Sequence, residues 1–166
     1  MKFDSKRIHA GWDSDADSEG SISVPSYKTT AYQCNDTEHA ASLFALKEFG
    51  NIYSRLGNPT VGALEARLTA LEDGAMSVAL SSGTSAVMYS LINIMSQGDN
   101  FVTANQLYGG TYTMFDNILP EYGIDSKKVD ITDLTAVENA IDEKTRAIYC
   151  ETSTNPGLVV AEISGL

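Results

Sequence analysis

Residues 76–104, "MSVALSSGTSAVMYSLINIMSQGDNFVTA", decide the predicted fold of this chain. The apolar run 76–80 is typical of a buried strand, 83–97 of a helix, and 100–104 of a second strand. Strands that alternate with helices over short connections favour a mostly parallel sheet covered by helices. Ligands of such sheets bind beyond the carboxyl ends of the strands, so the residues just after position 80 are a candidate binding site.

The alternation of strands and helices extends toward both ends of the chain. Upstream, Pro59 suits the first turn of a helix and Gly74 suits its C-terminal end. Downstream, the pattern predicts a helix at 110–120, a weaker strand at 125–131, a helix at 133–142 and a strand at 146–151. A further helix and strand would be needed to complete the sheet, so we expect the chain to be the N-terminal part of a longer protein.

The first 58 residues follow a different pattern. Residues 1–36 are polar without a sustained period, which predicts an extended arm rather than a packed element. Residues 38–48 are typical of a short helix, and the glycine- and proline-containing stretch 49–60 of an irregular loop. We therefore expect an arm and loop at 1–58 and the first, incomplete part of an α/β domain at 59–166.

The composition narrows the class of protein. Eleven Lys and Arg stand against 22 Asp and Glu, so the formal net charge is −11. An acidic surface is a poor partner for nucleic acids and anionic membranes, and neither is expected to bind. Cys34 and Cys150 lack the spacing of a zinc or redox motif, which predicts reduced thiols without a metal site. No apolar run suits a signal peptide or a membrane span, so we expect a cytoplasmic protein.

Two strand ends followed by glycine carry candidate binding residues. Ser82, Gly83 and Thr84 open a helix, and the backbone N–H groups of Gly83 and Thr84 suit an anion. The alternative is an ordinary helix cap, and when the Ser-Gly pair is considered alone the cap explains it better. Tyr108 precedes two glycines after the second strand, where its ring can stack on a flat ligand or exchange protons. A surface turn explains that spacing equally well.

Two further places carry polar residues suited to a site. Glu151 and Asn155 follow the last strand, although Asn-Pro is also a simple turn signal. Arg55 lies with Tyr53 in a glycine-bounded loop, and its guanidinium suits phosphate or carboxylate. An ion pair with one of the many acidic residues is an equal alternative. The two histidines have neither the spacing of a metal site nor that of a catalytic triad.

Eight short motifs give the chain a family resemblance. In chain order they are "HAG" (9–11), "VPSYKTTAY" (24–32), "NIYSRLGNPT" (51–60), "LEARLTALEDG" (64–74), "SSGTSA" (81–86), "GDNFV" (98–102), "LYGGTY" (107–112) and "ETSTNP" (151–156). Their order and spacing resemble the Cys/Met-metabolism family of pyridoxal-phosphate-dependent enzymes across nearly the whole chain. The stretch "LFALKEFGNIYSR" (43–55) is most similar to the O-acetylhomoserine sulfhydrylase branch of that family.

The resemblance implies the fold of the large domain of fold-type I transferases and roles for seven residues. Gly83 and Thr84, with Ser82 nearby, would bind the phosphate of pyridoxal 5'-phosphate. Relatives often carry a longer side chain at Thr84, so only a backbone role carries over there. The remaining implied roles are phosphate binding from the neighbouring subunit by Tyr53 and Arg55, ring stacking and proton transfer by Tyr108, and contact with the ring oxygen or the substrate carboxylate by Asn155.

The resemblance also implies an activity. It is a γ-replacement that converts O-acetylhomoserine and sulfide or a thiol to homocysteine or methionine and acetate, in a homo-oligomer whose dimers share active sites and form tetramers. The family's Schiff-base lysine, its ring-pairing aspartate and its carboxylate-binding arginine are expected after residue 166, because the seven lysines match no such motif. Residues 1–166 alone are therefore expected to be inactive. The alternatives are a methionine γ-lyase, a cystathionine γ-synthase, or a non-catalytic α/β phosphate-binding module.

Overall fold

The computed structural model describes residues 1–166, the side chain of Ala16 excepted, and divides them into two compact units. The first unit is Met1–Ala79 and the second is Leu80–Leu166. The predicted division, with an arm and inter-subunit loop at 1–58 and the first part of an α/β domain at 59–166, stays a prediction.

The first unit contains three helices, α1 (Phe3–His9), α2 (Thr37–Phe44) and α3 (Pro59–Leu71), and a short 3-10 turn at Ser14–Ala16. Helix α3 begins at Pro59 as predicted, and the side chain of Asn58 caps it by accepting a hydrogen bond from the amide of Thr60 at 2.9 Å. At the other end, Asp73 adopts a positive φ of 48°, and Gly74 follows it with an amide that donates to the carbonyl of Thr69 at 3.0 Å.

The prediction that residues 1–36 lack a packed element is wrong, because α1 packs against α3. The side chain of Arg67 donates to the carbonyl of Ala10 at 2.8 Å. Gly11 then turns the chain with φ 82°, and a Cβ there would lie 2.2 Å from the carbonyl oxygen of Ala63. These contacts are long-range, and a helix of seven residues is too short to show a hydrophobic period.

The prediction of a strand at 76–80 is also wrong, although the segment runs without helix or turn. Its alternating side chains Met76 and Val78 are 80% and 69% exposed. The amide of Ala79 donates to the carboxylate of Glu65 at 2.7 Å rather than to a neighbouring strand. The apolar run is typical of a buried strand, but a strand also needs a partner to pair with.

The second unit is built on a parallel sheet, as predicted. Its strands are β1 (Asn100–Ala104), β2 (Asp125–Val129) and β3 (Thr145–Tyr149), and their order is β2-β1-β3. The helices are α4 (Gly83–Ile92), α5 (Gly109–Thr113) and α6 (Leu134–Ala140). Helix α5 continues through a π-helical turn at Met114–Ile118 into a 3-10 turn at Leu119–Tyr122, so the predicted helix at 110–120 is present but irregular.

The core of the second unit lies around the central strand β1. Phe101 and Phe115 are fully buried and meet edge to face, with ring centroids 4.8 Å apart. Tyr149 also meets Phe115 edge to face, with ring centroids 5.0 Å apart. Helix α4 ends at Ile92, five residues earlier than predicted, and Met95, which follows the end of the helix, is part of the buried core. No helix among the described residues is long and apolar enough to cross a membrane.

Candidate functional site

The carboxyl ends of β1 and β3 lie side by side, because these neighbouring strands run parallel. The loop after β1 leads to Tyr108 at the start of α5, and the loop after β3 contains Glu151 and Asn155. The carboxylate of Glu151 joins the two loops. Its Oε1 accepts a hydrogen bond from the amide of Tyr108 at 2.8 Å, and its Oε2 accepts one from the amide of Asn155 at 3.3 Å. Glu151 is the residue whose role its place in the sequence did not indicate.

Tyr108 presents its ring at this edge of the sheet, and the side chain is about half exposed (52%). The preceding residue, Leu107, is buried and fixes the chain in the core. The ring folds over Gly110, where a Cβ would lie only 2.7 Å from its Cε1 atom. The second glycine of the motif therefore makes room for the aromatic ring, which the sequence alone did not reveal.

Asn155 lies in the loop after β3 with its side chain exposed. The neighbouring Thr154 is 1% exposed, and its hydroxyl accepts a hydrogen bond from the amide of Val159 at 3.0 Å. Gly157 approaches Gln106 in the loop after β1 so closely that a Cβ would lie 2.3 Å from the Gln106 Oε1 atom. The Asn-Pro-Gly turn is thus packed against the loop that leads to Tyr108.

The start of α4 offers two backbone donors. The hydroxyl of Ser82 accepts a hydrogen bond from the amide of Ser85 at 3.1 Å, which is an ordinary N-terminal cap. Within the part of the chain that the structure describes, the amides of Gly83 and Thr84 donate to no protein atom. A Cβ on Gly83 would meet nothing within 4 Å, so the space beside these amides is open. This start of a ten-residue helix fits a phosphate group.

Tyr53 and Arg55 belong to the first unit and lie in the loop before α3. This loop runs antiparallel to the arm: the amide of Ser54 donates to the carbonyl of Thr30 at 2.8 Å, and the amide of Tyr32 donates to the carbonyl of Ile52 at 3.1 Å. The predicted irregular loop is therefore tied to the extended part of the arm.

The guanidinium of Arg55 lies over the ring of Tyr53, 5.1 Å from its centroid. Among the described residues it forms no ion pair, so the alternative of a paired surface arginine does not hold. The two side chains line an open cavity of about 450 Å³. The hydroxyl of Tyr32, which lines the same cavity, is buried and has no hydrogen-bond partner in the described part of the chain.

The residues beneath the sheet edge are held in neutral forms. Burial raises the pKa of Tyr149, and the nearby Glu151 carboxylate raises it further. Burial also raises the pKa of the Cys150 thiol, so this cysteine is a packing residue rather than a thiolate nucleophile. The side chains of Tyr108 and Asn155, by contrast, are exposed at this edge.

The arrangement can therefore bind a phosphate through backbone amides and a flat ring against Tyr108. Tyr108, Glu151 and Asn155 are brought together by hydrogen bonds, whereas Ser82 bonds only within the start of its own helix. Tyr53 and Arg55 form a separate pair in the first unit.

Several known proteins that are similar to this chain in sequence or structure are described as sulfhydrylases or as a thiol-lyase. The chain is 44% identical over 166 residues to a sulfhydrylase of Fusarium oxysporum, covering 100% of this chain and 38% of that protein. It is 45% identical over 159 residues to the O-acetyl-L-homoserine sulfhydrylase of Leptospira meyeri, covering 96% of this chain and 36% of that protein. A crystal structure from Campylobacter jejuni, described as an O-acetylhomoserine (thiol)-lyase with N'-pyridoxyl-lysine-5'-monophosphate, matches with a TM-score of 0.90 and 41% identity over 98% of this chain and 40% of that one.

The chain thus spans well under half the length of the relatives that it matches. The family described as Cys/Met metabolism PLP-dependent enzymes matches residues 4–166, which is almost all of this chain. The chain belongs to the Cys/Met-metabolism family of pyridoxal-phosphate-dependent enzymes.

Proposed function

We propose that this chain is the N-terminal part of a γ-replacement enzyme. The whole protein would convert O-acetylhomoserine and sulfide or a thiol to homocysteine or methionine and acetate, with pyridoxal phosphate as cofactor. The observation that carries the proposal is the start of α4, where the amides of Gly83 and Thr84 are free and a side chain at Gly83 would meet no atom within 4 Å. Relatives described as sulfhydrylases support the choice of reaction.

Each candidate residue has a physical role in this proposal. The amides of Gly83 and Thr84 bind the cofactor phosphate, and the cap made by Ser82 keeps the helix start in shape. Tyr108 stacks on the cofactor ring and exchanges a proton with the substrate through its hydroxyl. The side-chain amide of Asn155 donates to the ring oxygen or to the substrate carboxylate. When bound, the cofactor supplies an electron sink for the negative charge that develops on the substrate.

Tyr53 and Arg55 act from a neighbouring copy of the chain in this proposal. The guanidinium lies over the tyrosine ring and has no acidic partner among the described residues, so it is available for a phosphate. The site is then complete only in a dimer, and the whole protein is a homo-oligomer, with a tetramer as the full assembly. A cytoplasmic location and an amino-acid substrate complete the proposal.

The full-length protein, loaded with pyridoxal phosphate, tests the reaction. It is incubated with O-acetylhomoserine plus sulfide, with methionine, and with cysteine plus a homoserine ester. We expect homocysteine and acetate from the first mixture at a rate well above the others. Preferential release of methanethiol from methionine would indicate a γ-lyase, and preferential formation of cystathionine would indicate a synthase. No turnover of any mixture, together with no cofactor binding, would favour a non-catalytic phosphate-binding module.

A further inference from the structure

We infer that Glu151 is a positioning residue of this site, because its carboxylate holds Tyr108 and Asn155 in a fixed relation to each other. The inference rests on the proposed function for its chemical meaning, but the contacts belong to the chain itself. One carboxylate oxygen accepts from the amide of Tyr108 at 2.8 Å and the other from the amide of Asn155 at 3.3 Å. Tyr108 and Asn155 carry the candidate ligand-binding side chains, and the carboxylate of Glu151 joins their backbones.

The carboxylate of Glu151 and the amides of Tyr108 and Asn155 form a clamp, which connects parts of the chain that are distant in sequence. Glu151 and Tyr108 are separated by 43 positions, and each lies just past the carboxyl end of its strand. A carboxylate accepts through both oxygens, so one side chain can satisfy an amide from each loop. A hydrogen bond to an ionised acceptor is also stronger than one to a neutral acceptor. The ionised form of Glu151 is therefore suited to fix both loops at once.

Among the described residues, Tyr108 is bonded to Glu151 through its backbone amide, and its hydroxyl forms no hydrogen bond. The side chain is 52% exposed, and Tyr108 forms no side-chain cap for α5. Its position depends on the buried Leu107 before it, on the space above Gly110, and on the bond from its own amide to Glu151. Of these three, only the bond to Glu151 also fixes the distance to Asn155.

Glu151 is not one of the buried residues of the core. The largest fully buried side chains of the unit are Phe101, Phe115 and Leu119. Glu151 is only partly buried. Removing its carboxylate should therefore loosen the two loops without unfolding the domain. The loss should be seen in the geometry of the site and in turnover rather than in thermal stability.

The chemistry of glutamine separates the clamp from a simple steric role. Glutamine has nearly the same shape as glutamate, but it offers one acceptor oxygen, and its NH₂ group would face the second amide donor. Glu151→Gln should therefore keep one loop and release the other, and Glu151→Ala should release both. Glu143→Gln is the matched control, because it removes an exposed carboxylate before β3 that does not bond to either loop.

The experiment uses full-length protein with and without added pyridoxal phosphate. Amide hydrogen exchange without the cofactor should be faster in Glu151→Ala than in the wild type for the peptides that contain residues 105–110 and 152–157, and unchanged in Glu143→Gln. With the cofactor, the visible circular dichroism of the bound ring should weaken. The value of kcat should fall by about 100-fold, the size expected for a misplaced catalytic group. KM and the melting temperature should change little, and Glu151→Gln should give intermediate values.

A double variant tests whether Glu151 acts through Tyr108. If it does, adding Glu151→Ala to Tyr108→Phe should lower kcat less than the product of the two single effects. Unchanged exchange in the peptides around Tyr108 and Asn155 would overturn the clamp, even if the protein is an active enzyme. Fully multiplicative losses would overturn action through Tyr108. Absence of cofactor binding by the wild type would instead overturn the proposed function, while the exchange measurement would still decide the role of Glu151.

Discussion

At the scale of single residues, Arg55 is the charged side chain whose assignment can be tested most directly. Its guanidinium lies over Tyr53 and meets no carboxylate in the described residues, so its substitution should leave no buried acid unpaired. In the proposed enzyme it binds the cofactor phosphate from the neighbouring subunit. A hydrogen bond to a charged group contributes about 1.5–3 kcal/mol.

Arg55→Ala in the full-length protein should therefore weaken pyridoxal phosphate binding by about 10- to 150-fold. The melting temperature of the cofactor-free protein should change little. Titration of cofactor-free protein with pyridoxal phosphate measures the effect. Arg7→Ala is the control, because Arg7 is an exposed arginine of the same unit that pairs only with Asp4, at 3.5 Å. If both variants bind the cofactor as tightly as the wild type, Arg55 has no role in phosphate binding.

The two glycines after Tyr108 give a second test at this scale, because they differ in one respect. A Cβ at Gly110 would lie 2.7 Å from the tyrosine ring, whereas a Cβ at Gly109 would meet nothing within 4 Å. Both positions lie in α5 without a positive φ, so alanine should favour the helix at either one.

Gly110→Ala should therefore displace the ring of Tyr108, and Gly109→Ala should not. In the full-length protein we expect kcat to fall by about 100-fold for the first variant, because small shifts of catalytic groups have effects of that size. The second variant should stay near the wild type. Steady-state kinetics and visible circular dichroism of the bound cofactor measure the difference. Equal effects of the two substitutions would mean that the ring position does not matter.

At the scale of elements, a polar network joins the first residues of β1 and β3 to Lys127 in the middle of β2. The buried side chain of Asn100 in β1 donates to Asp142 at 3.0 Å and accepts from Thr145 of β3 at 2.7 Å. Lys127 of β2 donates to Asp142 at 2.6 Å and to the carbonyl of Ala140 at 2.9 Å. The network thus links all three strands.

The network predicts a dependence of stability on pH. The hydrogen bond from Lys127 and then that from Asn100 hold the pKa of Asp142 well below its ordinary value of 3.8. A depressed pKa in the folded state means that the stabilisation is complete above the unfolded pKa and is lost as the pH falls through the folded pKa. Asp142→Asn should therefore lower the melting temperature near neutral pH, and the difference from the wild type should shrink below about pH 4.

Thermal unfolding of the two proteins across this pH range measures the difference. Asp125→Asn is the control, because it removes an exposed carboxylate of β2 that is not part of the network. A difference in melting temperature between the wild type and Asp142→Asn that stays constant as the pH is lowered would contradict the assigned cause of the pKa shift.

The elements show which parts of the fold the sequence could predict. The strand at 100–104 and the helix that begins at Pro59 were correct because their signals are local: a short apolar run and a capped first turn. Helix α1 was missed because its seven residues pack through Arg67 and Gly11, which no local pattern shows. The segment 76–80 has the apolar run of a buried strand, but pairing depends on a neighbour that the run itself cannot identify.

The candidate site was predictable in its parts but not in its connections. The glycines, together with the end of β1 in the case of Tyr108, indicated where α4 and α5 begin. The bond between Glu151 and Tyr108 joins residues 43 positions apart, so no motif spacing could reveal it. The stacking of Arg55 on Tyr53 likewise depends on a loop whose shape is set by pairing with the arm.

At the scale of the whole chain, the net charge of −11 is unfavourable for binding a phosphate. In the proposed site the affinity comes from local donors, which in this chain are the amides at the start of α4 and, in the proposed dimer, Arg55. The lysines do not change this balance near the sheet edge, because none of the seven follows the carboxyl end of β1 or β3. Lys6, Lys127 and Lys128 are also held by Asp73, Asp142 and Asp116.

The distribution of lysines predicts how residues 1–166 react with the cofactor as an isolated polypeptide. The other four lysines, Lys2, Lys28, Lys47 and Lys144, are exposed. With no lysine at the candidate site, pyridoxal phosphate should bind weakly, and any adduct with a surface lysine should exchange freely. Reduction with borohydride followed by peptide mapping should find low labelling spread over several lysines. The full-length protein, treated in the same way, should carry one fully labelled lysine beyond residue 166. A single stoichiometrically labelled lysine within residues 1–166 would mean that this chain contains the complete cofactor site, and the assignment of the anchoring lysine to the remainder of the protein would be wrong.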